Sequence, residues 1–269
     1  MARRGPEGLR AAEAIETFVR SPRSRNIRCA TCRERSIALA PLPRLPCMSL
    51  PTTPAPWPSR VTLSGRVVRL EPLDADRHTD ALFPAIHGAA NEHVWRYLGD
   101  GPYEHRDDFH AALARKAVAD DAVFLAIVDS GSNRAMGYAS YMRIDPPNRV
   151  IEVGNVLFTP ALQGTTGATE AMYLMARHAF DDLGYRRYEW KCNALNEPSR
   201  RAALRFGFSF EGIFRQHMII KGANRDTAWY SMLDSEWPDL KRAFEEWLSP
   251  ANFDAAGKQK RTLAEIRGR

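Results

Sequence analysis

The sequence predicts a mixed α+β fold, in which a mostly antiparallel sheet is flanked by helices. Two strand–turn–helix units carry this prediction, one beginning at Val150 and the other at Tyr188. Before and after these units, apolar and β-branched runs alternate with short polar turns, which is typical of antiparallel hairpins. A chain that combines such hairpins with strand–helix units builds one sheet with helices packed on it.

The first part of the domain is predicted to be one strand followed by two helices. The strand covers 67–72, and the first helix covers 74–90, where Asp74 can cap the first turn. A loop over 91–103 leads to a second helix over 106–119. Aromatic residues on a loop are candidates for the wall of a substrate pocket, although a single one is more often a core residue. The candidate substrate residues are Trp95, Tyr97 and Tyr103.

The rest of the domain is predicted from hydrophobic periodicity and turn residues. A Ser-Gly-Ser-Asn turn joins the first two strands of a meander, and a Lys-Gly-Ala-Asn turn joins a later strand pair. The elements outside the two strand–helix units are strands over 122–129 and 135–144, strands over 208–220 and 225–233, and a closing helix over 237–248.

A turn of small residues separates the strand Val150–Phe158 from an amphipathic helix that ends near Leu183. The turn reads Gln163-Gly-Thr-Thr-Gly-Ala168, and Gly184 can supply the left-handed residue that ends the helix. A helix that opens on small residues presents free backbone N–H groups at the positive end of its dipole, which favours phosphate. The Gly-x-x-x-x-Gly-Lys-Ser/Thr and Gly-x-Gly-x-x-Gly patterns are both absent. The turn is therefore a candidate pyrophosphate site outside those two nucleotide-binding classes.

This turn resembles the acetyl-CoA signature of GNAT-type N-acetyltransferases, Gln/Arg-x-x-Gly-x-Gly/Ala. The Ala-Thr-Glu-Ala sequence that ends at Ala171 is similar to that of the Rim-type N-terminal acetyltransferases of ribosomal proteins (RimJ/RimL-like). One position departs from the signature, because Thr166 stands where the family has its central glycine. Either the loop differs locally, or Gly167 takes over the close approach to the cofactor.

The second strand–helix unit resembles the second signature of the same family. Its helix has Asn196 as N-cap, Pro198 in the first turn and Gly207 after its end. The resemblance covers roughly residues 61–235 and implies the GNAT fold, with a sheet splayed between its fourth and fifth strands. It also implies that Asn196 reaches the pantetheine arm of the cofactor and that Ser199 protonates the leaving thiolate, with Tyr141 or Tyr230 as alternatives.

The activity that the resemblance implies is transfer of an acetyl group from acetyl-CoA, the cosubstrate, to a primary amine by direct attack in a ternary complex. Such a transfer needs a neutral amine and a stabilised oxyanion. Glu152 is the candidate base, and a water relay is the alternative. Without a catalytic role, Glu152 would be a charged residue on the solvated face of its strand. The expected cofactor-binding residues are the amides of Val156, Leu157 and Phe158 at the oxyanion, Gln163, Gly164, Thr165, Thr166, Gly167, Ala168 and Thr169 at the pyrophosphate, and Asn196.

The acceptor amine is left open between a protein or peptide N-terminus and a small molecule such as a polyamine, an amino acid or an antibiotic. A non-catalytic module that binds coenzyme A or acyl-CoA would keep the phosphate turn without a working base and acid. Relatives of this kind are commonly monomers or homodimers, so either state is expected.

Composition divides the chain into three segments. Residues 1–60 are expected to be a disordered, basic and Pro-rich arm, in part an artefact of start-site choice, followed by the GNAT domain over 61–248 and a basic, solvated tail over 249–269. Residues 1–47 hold ten arginines and four glutamates, which account for the whole net charge of +6. The domain itself is neutral, so nucleic-acid binding is not expected of it.

Cysteine usage and hydropathy give the remaining expectations. Cys29, Cys32 and Cys47 lie in the arm without a second ligand pair, so no metal is expected, and the domain holds only Cys192. A single core cysteine and no secretory segment favour a cytoplasmic location. No apolar run approaches the ~18 residues of a spanning helix, so no membrane partner is expected.

Overall fold

The sheet of this protein contains eight strands, as seen in a computed structural model that describes residues 53–268. The expectations for residues 1–52, including those for the first three cysteines, lie outside the described residues. The strands are β1 (Leu63–Ser64), β2 (Val68–Pro72), β3 (Ala122–Asp129), β4 (Ala135–Asp145), β5 (Val150–Phe158), β6 (Arg187–Asn193), β7 (Ser209–Ile220) and β8 (Ala223–Leu233). Their order is β1-β2-β3-β4-β5-β6-β8-β7, and only the β5–β6 pair is parallel. The predicted mixed fold with a mostly antiparallel sheet is confirmed.

The helices begin close to their predicted positions because local capping signals set them. The helices are α1 (Ala75–Ile86), α2 (Arg106–Ala117), α3 (Thr166–Arg177), α4 (Glu197–Phe206), α5 (Trp237–Leu248) and α6 (Leu263–Ile266). Asp74 caps α1 by accepting a hydrogen bond from the amide of Arg77 at 3.1 Å. Helix α3 is shorter than predicted, since a π-helical turn over His178–Asp182 follows it before the left-handed Gly184. The loop after α1 begins with a 3₁₀ helix over Ala89–Trp95.

Two apolar clusters cover the two faces of the sheet. One cluster joins β5, β6 and β8 to α3, α4 and α5, and the other joins β3 and β4 to α1 and α2. Along β5, Ile151 and Val153 belong to the first cluster, whereas Leu157 belongs to the second. The face changes because β5 has one extra residue between its pairs with Tyr138 and Ser140, which makes a bulge at Asn155 with φ +48°.

The sheet opens between β5 and β6 after the bulged strand leaves its neighbour. The two strands pair only from Val150 with Arg187 to Val153 with Trp190, although both continue further. Beyond Val153, the edge of β5 that faces β6 therefore has no strand partner among the described residues. The predicted splay between the strands over 150–158 and 188–193 is confirmed.

Both ends of the described chain pack on the domain, unlike the arm and the solvated tail that the sequence suggests. Residue Ala55 is buried, and its amide donates to the carbonyl of Pro146 at 3.0 Å. After α5, the chain folds back so that Leu263 of α6 is only 1% exposed. A capping box between Thr262 and Glu265 starts that short helix. Few apolar residues anchor this polar segment, which is why its composition suggests a tail.

Glu170 of α3 holds the turn between β1 and β2. Its buried carboxylate accepts hydrogen bonds from the amides of Arg66, Val67 and Val68 at 2.8, 2.7 and 2.9 Å. A side chain at Gly65 would lie 2.6 Å from the Glu170 carboxyl carbon, so the turn needs glycine there. The glutamate of the Ala-Thr-Glu-Ala sequence thus has a structural partner about a hundred residues away.

We expect Glu170→Ala to lower the free energy of unfolding by about 3 kcal/mol, because one buried and two partly buried amide contacts lose a charged acceptor. Urea denaturation followed by circular dichroism measures this loss. Glu92→Ala, at an exposed position, is the control and should stay within about 0.5 kcal/mol of the wild type. Equal stability of the two variants would contradict the role of Glu170.

Candidate active site

A cleft of about 1080 Å³ passes through the opening between β5 and β6. Its walls come from the start of α3, one side of α4, the ends of β5 and β6, the loop before α2 and the segment after α5. The cleft is therefore accessible from both faces of the sheet. A ligand bound in it could contact the helix layer on one face and the open strands on the other.

The start of α3 forms the anion-binding end of this cleft. Thr165 caps the helix, since its Oγ1 accepts from the amide of Ala168 at 3.2 Å, and Gly164 has the positive φ (+73°) of the preceding turn. Gln163 Nε2 donates to the carbonyl of Phe158 at 3.0 Å. Within residues 53–268, the first two amides of the helix, those of Thr166 and Gly167, have no acceptor in the protein. Free amides at a helix start suit a phosphate.

The glycine next to the position that departs from the family signature, Gly167, is explained by packing. A Cβ on Gly167 would lie 2.9 Å from Val68 Cγ1, so this residue is a glycine because β2 packs against it. The side chain of Thr166 instead lines the cleft.

Helix α4 places a hydroxyl at the cleft. Asn196 Oδ1 accepts from the amide of Ser199 at 3.2 Å, and Trp190 Nε1 donates to Ser199 Oγ at 3.0 Å. Because an indole nitrogen can only donate, the Ser199 proton remains available for another acceptor. Cys192 lines the same wall, and burial raises the pKa of its thiol, against a smaller opposing effect of the Ser199 hydroxyl. Ser199 therefore presents a hydroxyl proton to the cleft from this wall.

Glu152 lies on the other face of the sheet, in a buried network of charges. It is 2% exposed, and Arg143 Nη1 donates to both of its oxygens at 2.8 and 3.0 Å. Lys191 Nζ lies 2.9 Å from Glu152 Oε2 and 2.6 Å from Glu189 Oε2. The same ammonium lies 3.8 Å from the ring centroid of Trp229. Glu152 therefore acts within a network and not as an isolated carboxylate.

Arg225 completes this face and was not predicted from the sequence. Its side chain lines the cleft, and its buried Nε has no hydrogen-bond partner in the described part of the chain. Burial lowers its pKa, and the nearby Arg143 adds to that effect. Strand alternation puts it on the face opposite the core residue Ala228, but only the strand order brings it near Glu152.

Two further cations lie at the helix end of the cleft and were also missed. Arg205 Nη1 donates to Thr169 Oγ1 at 3.0 Å, and its guanidinium lies 5.0 Å from the ring centroid of Trp247. Burial lowers the pKa of Arg205, with a smaller effect of the neighbouring Arg267. Lys258, in the segment after α5, lines the same end. Arg205 thus adds positive charge beside α3, which favours an anion at that end of the cleft.

The aromatic loop is only partly at the cleft. Trp95 is 1% exposed and donates to the carbonyl of Ile86 at 3.0 Å, and Tyr103 packs edge-on against it with its hydroxyl on Asp100. Both belong to the core beneath α1 and α2 and not to a pocket wall, because the loop folds inward onto those helices. Tyr97 alone of the three lines the cleft, with its hydroxyl on the carbonyl of Leu195.

The structure brings together most of the other predicted residues. Leu157 and Gly167 do not line the cleft, and Tyr141 and Tyr230 are buried in the core. The predicted residues that line it are Tyr97, Glu152, Val156, Phe158, Gln163, Gly164, Thr165, Thr166, Ala168, Thr169, Asn196 and Ser199.

Residues 53–268 show neither a metal site nor a membrane-spanning helix. No group of three or more histidine, cysteine, aspartate or glutamate side chains is arranged to hold a metal ion. No helix in that range is both long and apolar enough to cross a membrane.

Comparison with known proteins agrees with this geometry. Residues 68–209 match the family model of the acetyltransferase (GNAT) domain. The chain is 51% identical to a GCN5-related N-acetyltransferase structure from Brucella melitensis, over 81% of this chain and 98% of that one, with a TM-score of 0.79.

Two curated relatives carry names that refer to the ribosome. YdaF of Bacillus subtilis (strain 168), named as a candidate ribosomal N-acetyltransferase, is 27% identical over 64% of this chain and 92% of its own length. The ribosomal-protein-serine acetyltransferase of Escherichia coli (strain K12) is 31% identical over 38% of this chain and 56% of its own length. The family match, the opened sheet and the helix start at the cleft lead to one conclusion: this chain belongs to the GNAT acetyltransferase family.

Proposed function

We propose that this enzyme transfers an acetyl group from acetyl-CoA to a primary amine by direct attack in a ternary complex. The observation that carries the proposal is the cleft through the opened sheet, with a helix start on one side and a buried carboxylate on the other. The thioester and the amine can then approach the same point from opposite faces.

The cofactor is proposed to bind along the helix side. The amides of Thr166 and Gly167 would hold the pyrophosphate, and Asn196, whose Nδ2 is not used in capping α4, would reach the pantetheine arm. The free edge of β5 from Val156 to Phe158 would present main-chain amides to the oxyanion. Because these contacts are made mainly by the backbone, side-chain substitutions there should have mild effects unless they add charge.

The charges on the strand side are proposed to prepare the amine for attack. An α-amine has a pKa of about 8, so most of it is protonated at neutral pH. Nearby cations disfavour a further positive charge, and Arg143 and Lys191 therefore favour the neutral amine. Glu152 is the only carboxylate among the described residues that line the cleft, and we assign it as the acceptor of the amine proton, directly or through water.

The acceptor is proposed to be the N-terminal amine of a protein, because both curated relatives are named for ribosomal acetylation. A non-catalytic module that binds acetyl-CoA is the alternative. Incubation of the full chain with acetyl-CoA and a panel of peptides and small amines, read by thiol release and product mass, tests both. Acetylated peptide with thiol release supports the enzyme, whereas binding of acetyl-CoA without release for any amine would support the module.

We expect Lys258→Ala to weaken binding of acetyl-CoA by about three- to tenfold, because we assign its ammonium, which lines the cleft, to the ribose 3′-phosphate. Isothermal calorimetry with acetyl-CoA and with its 3′-dephospho form measures the effect, which should appear only for the phosphorylated ligand. Lys260→Ala is the matched control, since Lys260 lies in the same segment but its Nζ binds the carbonyl of Ala251. Equal losses for both ligands would contradict this assignment.

We expect Ser199→Ala to lower kcat by about 100-fold, because the thiolate would leave without its proton donor. The affinity for acetyl-CoA should change little, and Ser199→Thr, which keeps a hydroxyl, should recover part of the rate. Thermal unfolding should also show a loss of about 1–2 kcal/mol, since Trp190 Nε1 loses its acceptor. A kcat within threefold of the wild type would show that Ser199 serves only the packing of α4.

A further inference from the structure

The side chains that line the cleft are strongly unbalanced in charge. In the described part of the chain they include one carboxylate, that of Glu152, and six permanent cations. The cations are Arg96, Arg143, Lys191, Arg205, Arg225 and Lys258. A cofactor with phosphate groups accounts for those on its own side of the sheet, which are Arg205 and Lys258.

Three of the remaining cations lie on the opposite face of the sheet. Lys191 lies between Trp190 and Cys192, whose side chains belong to the core under α3 to α5, so it points the other way. Arg225 is three residues from the core residue Ala228 and shares the face of Lys191. Arg143 reaches that face through its contact with Glu152. Phosphate groups bound at α3 would lie on the other side of the sheet from this group.

The pairing of these three cations is incomplete. Lys191 has two carboxylate partners, and Arg143 shares one of them. Arg225 forms no ion pair among residues 53–268, and its Nε is buried without an acceptor. A buried guanidinium nitrogen without a partner is unfavourable, and carboxylates are the groups that guanidinium binds best, with two parallel hydrogen bonds.

We propose that the acceptor amine carries a carboxylate within a few bonds, and that Arg225, supported by Arg143, binds this carboxylate and selects the substrate. The proposal rests on the proposed function, since it names the acceptor class of the same site. The carboxylate can be the side chain of an acidic residue that follows the N-terminal amine, or the α-carboxylate of a free amino acid. Polyamines and aminoglycosides, which carry several positive charges, are disfavoured by the same cations.

The test compares acceptors that differ only in charge. Ala-Glu-Ala-amide, Ala-Gln-Ala-amide and Ala-Lys-Ala-amide are supplied to the full chain with acetyl-CoA, and alanine is compared with alaninamide to separate the two sources of carboxylate. We expect kcat/KM for the Glu peptide, or for alanine, to exceed that of its neutral partner by about tenfold. Added salt should reduce the ratio, because it screens the charges. Equal values for every charged and neutral pair would overturn the proposal.

Variants assign the selectivity to Arg225. Arg225→Met should bring the Glu-to-Gln ratio close to one, whereas Arg215→Met, at an exposed position of β7 outside the cleft, should leave it unchanged. A ratio that survives Arg225→Met would also overturn the proposal.

A binding measurement separates this proposal from the proposed function. Calorimetry measures the affinity of the same peptides for the chain loaded with coenzyme A. Preferential binding of the Glu peptide that is lost in Arg225→Met, without acetylation of any amine, would keep the inference and reject the transferase. Acetylation of all peptides at similar rates would keep the proposed transferase and reject the inference about the carboxylate.

Discussion

Thr166→Asp should weaken the binding of acetyl-CoA by at least about 100-fold. Thr166 is the first residue of α3, and its side chain lines the cleft beside the free amides that we assign to the pyrophosphate. A carboxylate there would lie within a few ångströms of a phosphate, and two like charges about 5 Å apart repel by about 3 kcal/mol at an effective dielectric constant of about 20. The affinity measured by isothermal calorimetry gives this loss directly.

The same variant should leave the fold at least as stable as the wild type. An aspartate in the first turn of a helix interacts favourably with the helix dipole, by about 0.3–1 kcal/mol. The affinity for acetyl-CoA should therefore fall while the free energy of unfolding rises. This combination excludes misfolding as the cause of the weaker binding. Thr166→Asn adds no charge and should bind acetyl-CoA within a few-fold of the wild type. If the aspartate variant binds as tightly as the wild type, the phosphates do not lie at α3.

Features that depend on neighbouring residues were predicted well. The caps at Asp74 and Asn196 and the left-handed glycines Gly184 and Gly207 are all found, because each depends on a few adjacent backbone groups. The turn before α3 is local in the same sense. Its position at the opened sheet followed from the family resemblance and not from periodicity.

Features that depend on strand order could not be predicted in this way. Arg143, Lys191 and Arg225 come from three strands, and only the order β4-β5-β6-β8 brings them to one face around Glu152. The three loop aromatics divide between core and cleft according to how the loop packs on α1 and α2, which the sequence does not specify. Lys258 was missed because its segment is polar and lacks regular periodicity.

Glu152→Gln should lower kcat/KM for a peptide acceptor by about 100-fold or more, since the cleft loses its carboxylate and the amine its proton acceptor. The loss should shrink as the pH rises towards the pKa of the amine, about 8, because the amine then deprotonates without help. Stability should fall by about 3 kcal/mol as well, because Arg143 and Lys191 lose a buried partner. A rate effect alone therefore cannot separate a chemical role from a structural one.

Glu189→Gln is the matched control that separates them. Glu189 is buried in the same network, with Lys191 Nζ at 2.6 Å and Arg187 Nε at 2.6 Å, but it does not line the cleft. Its substitution should cost a similar amount of stability and leave kcat/KM within threefold of the wild type, with an unchanged pH profile. Equal loss of activity in both variants would mean that Glu152 acts only by holding Lys191 in place. Loss confined to Glu152→Gln, and relieved at high pH, would place the proton of the amine on this carboxylate.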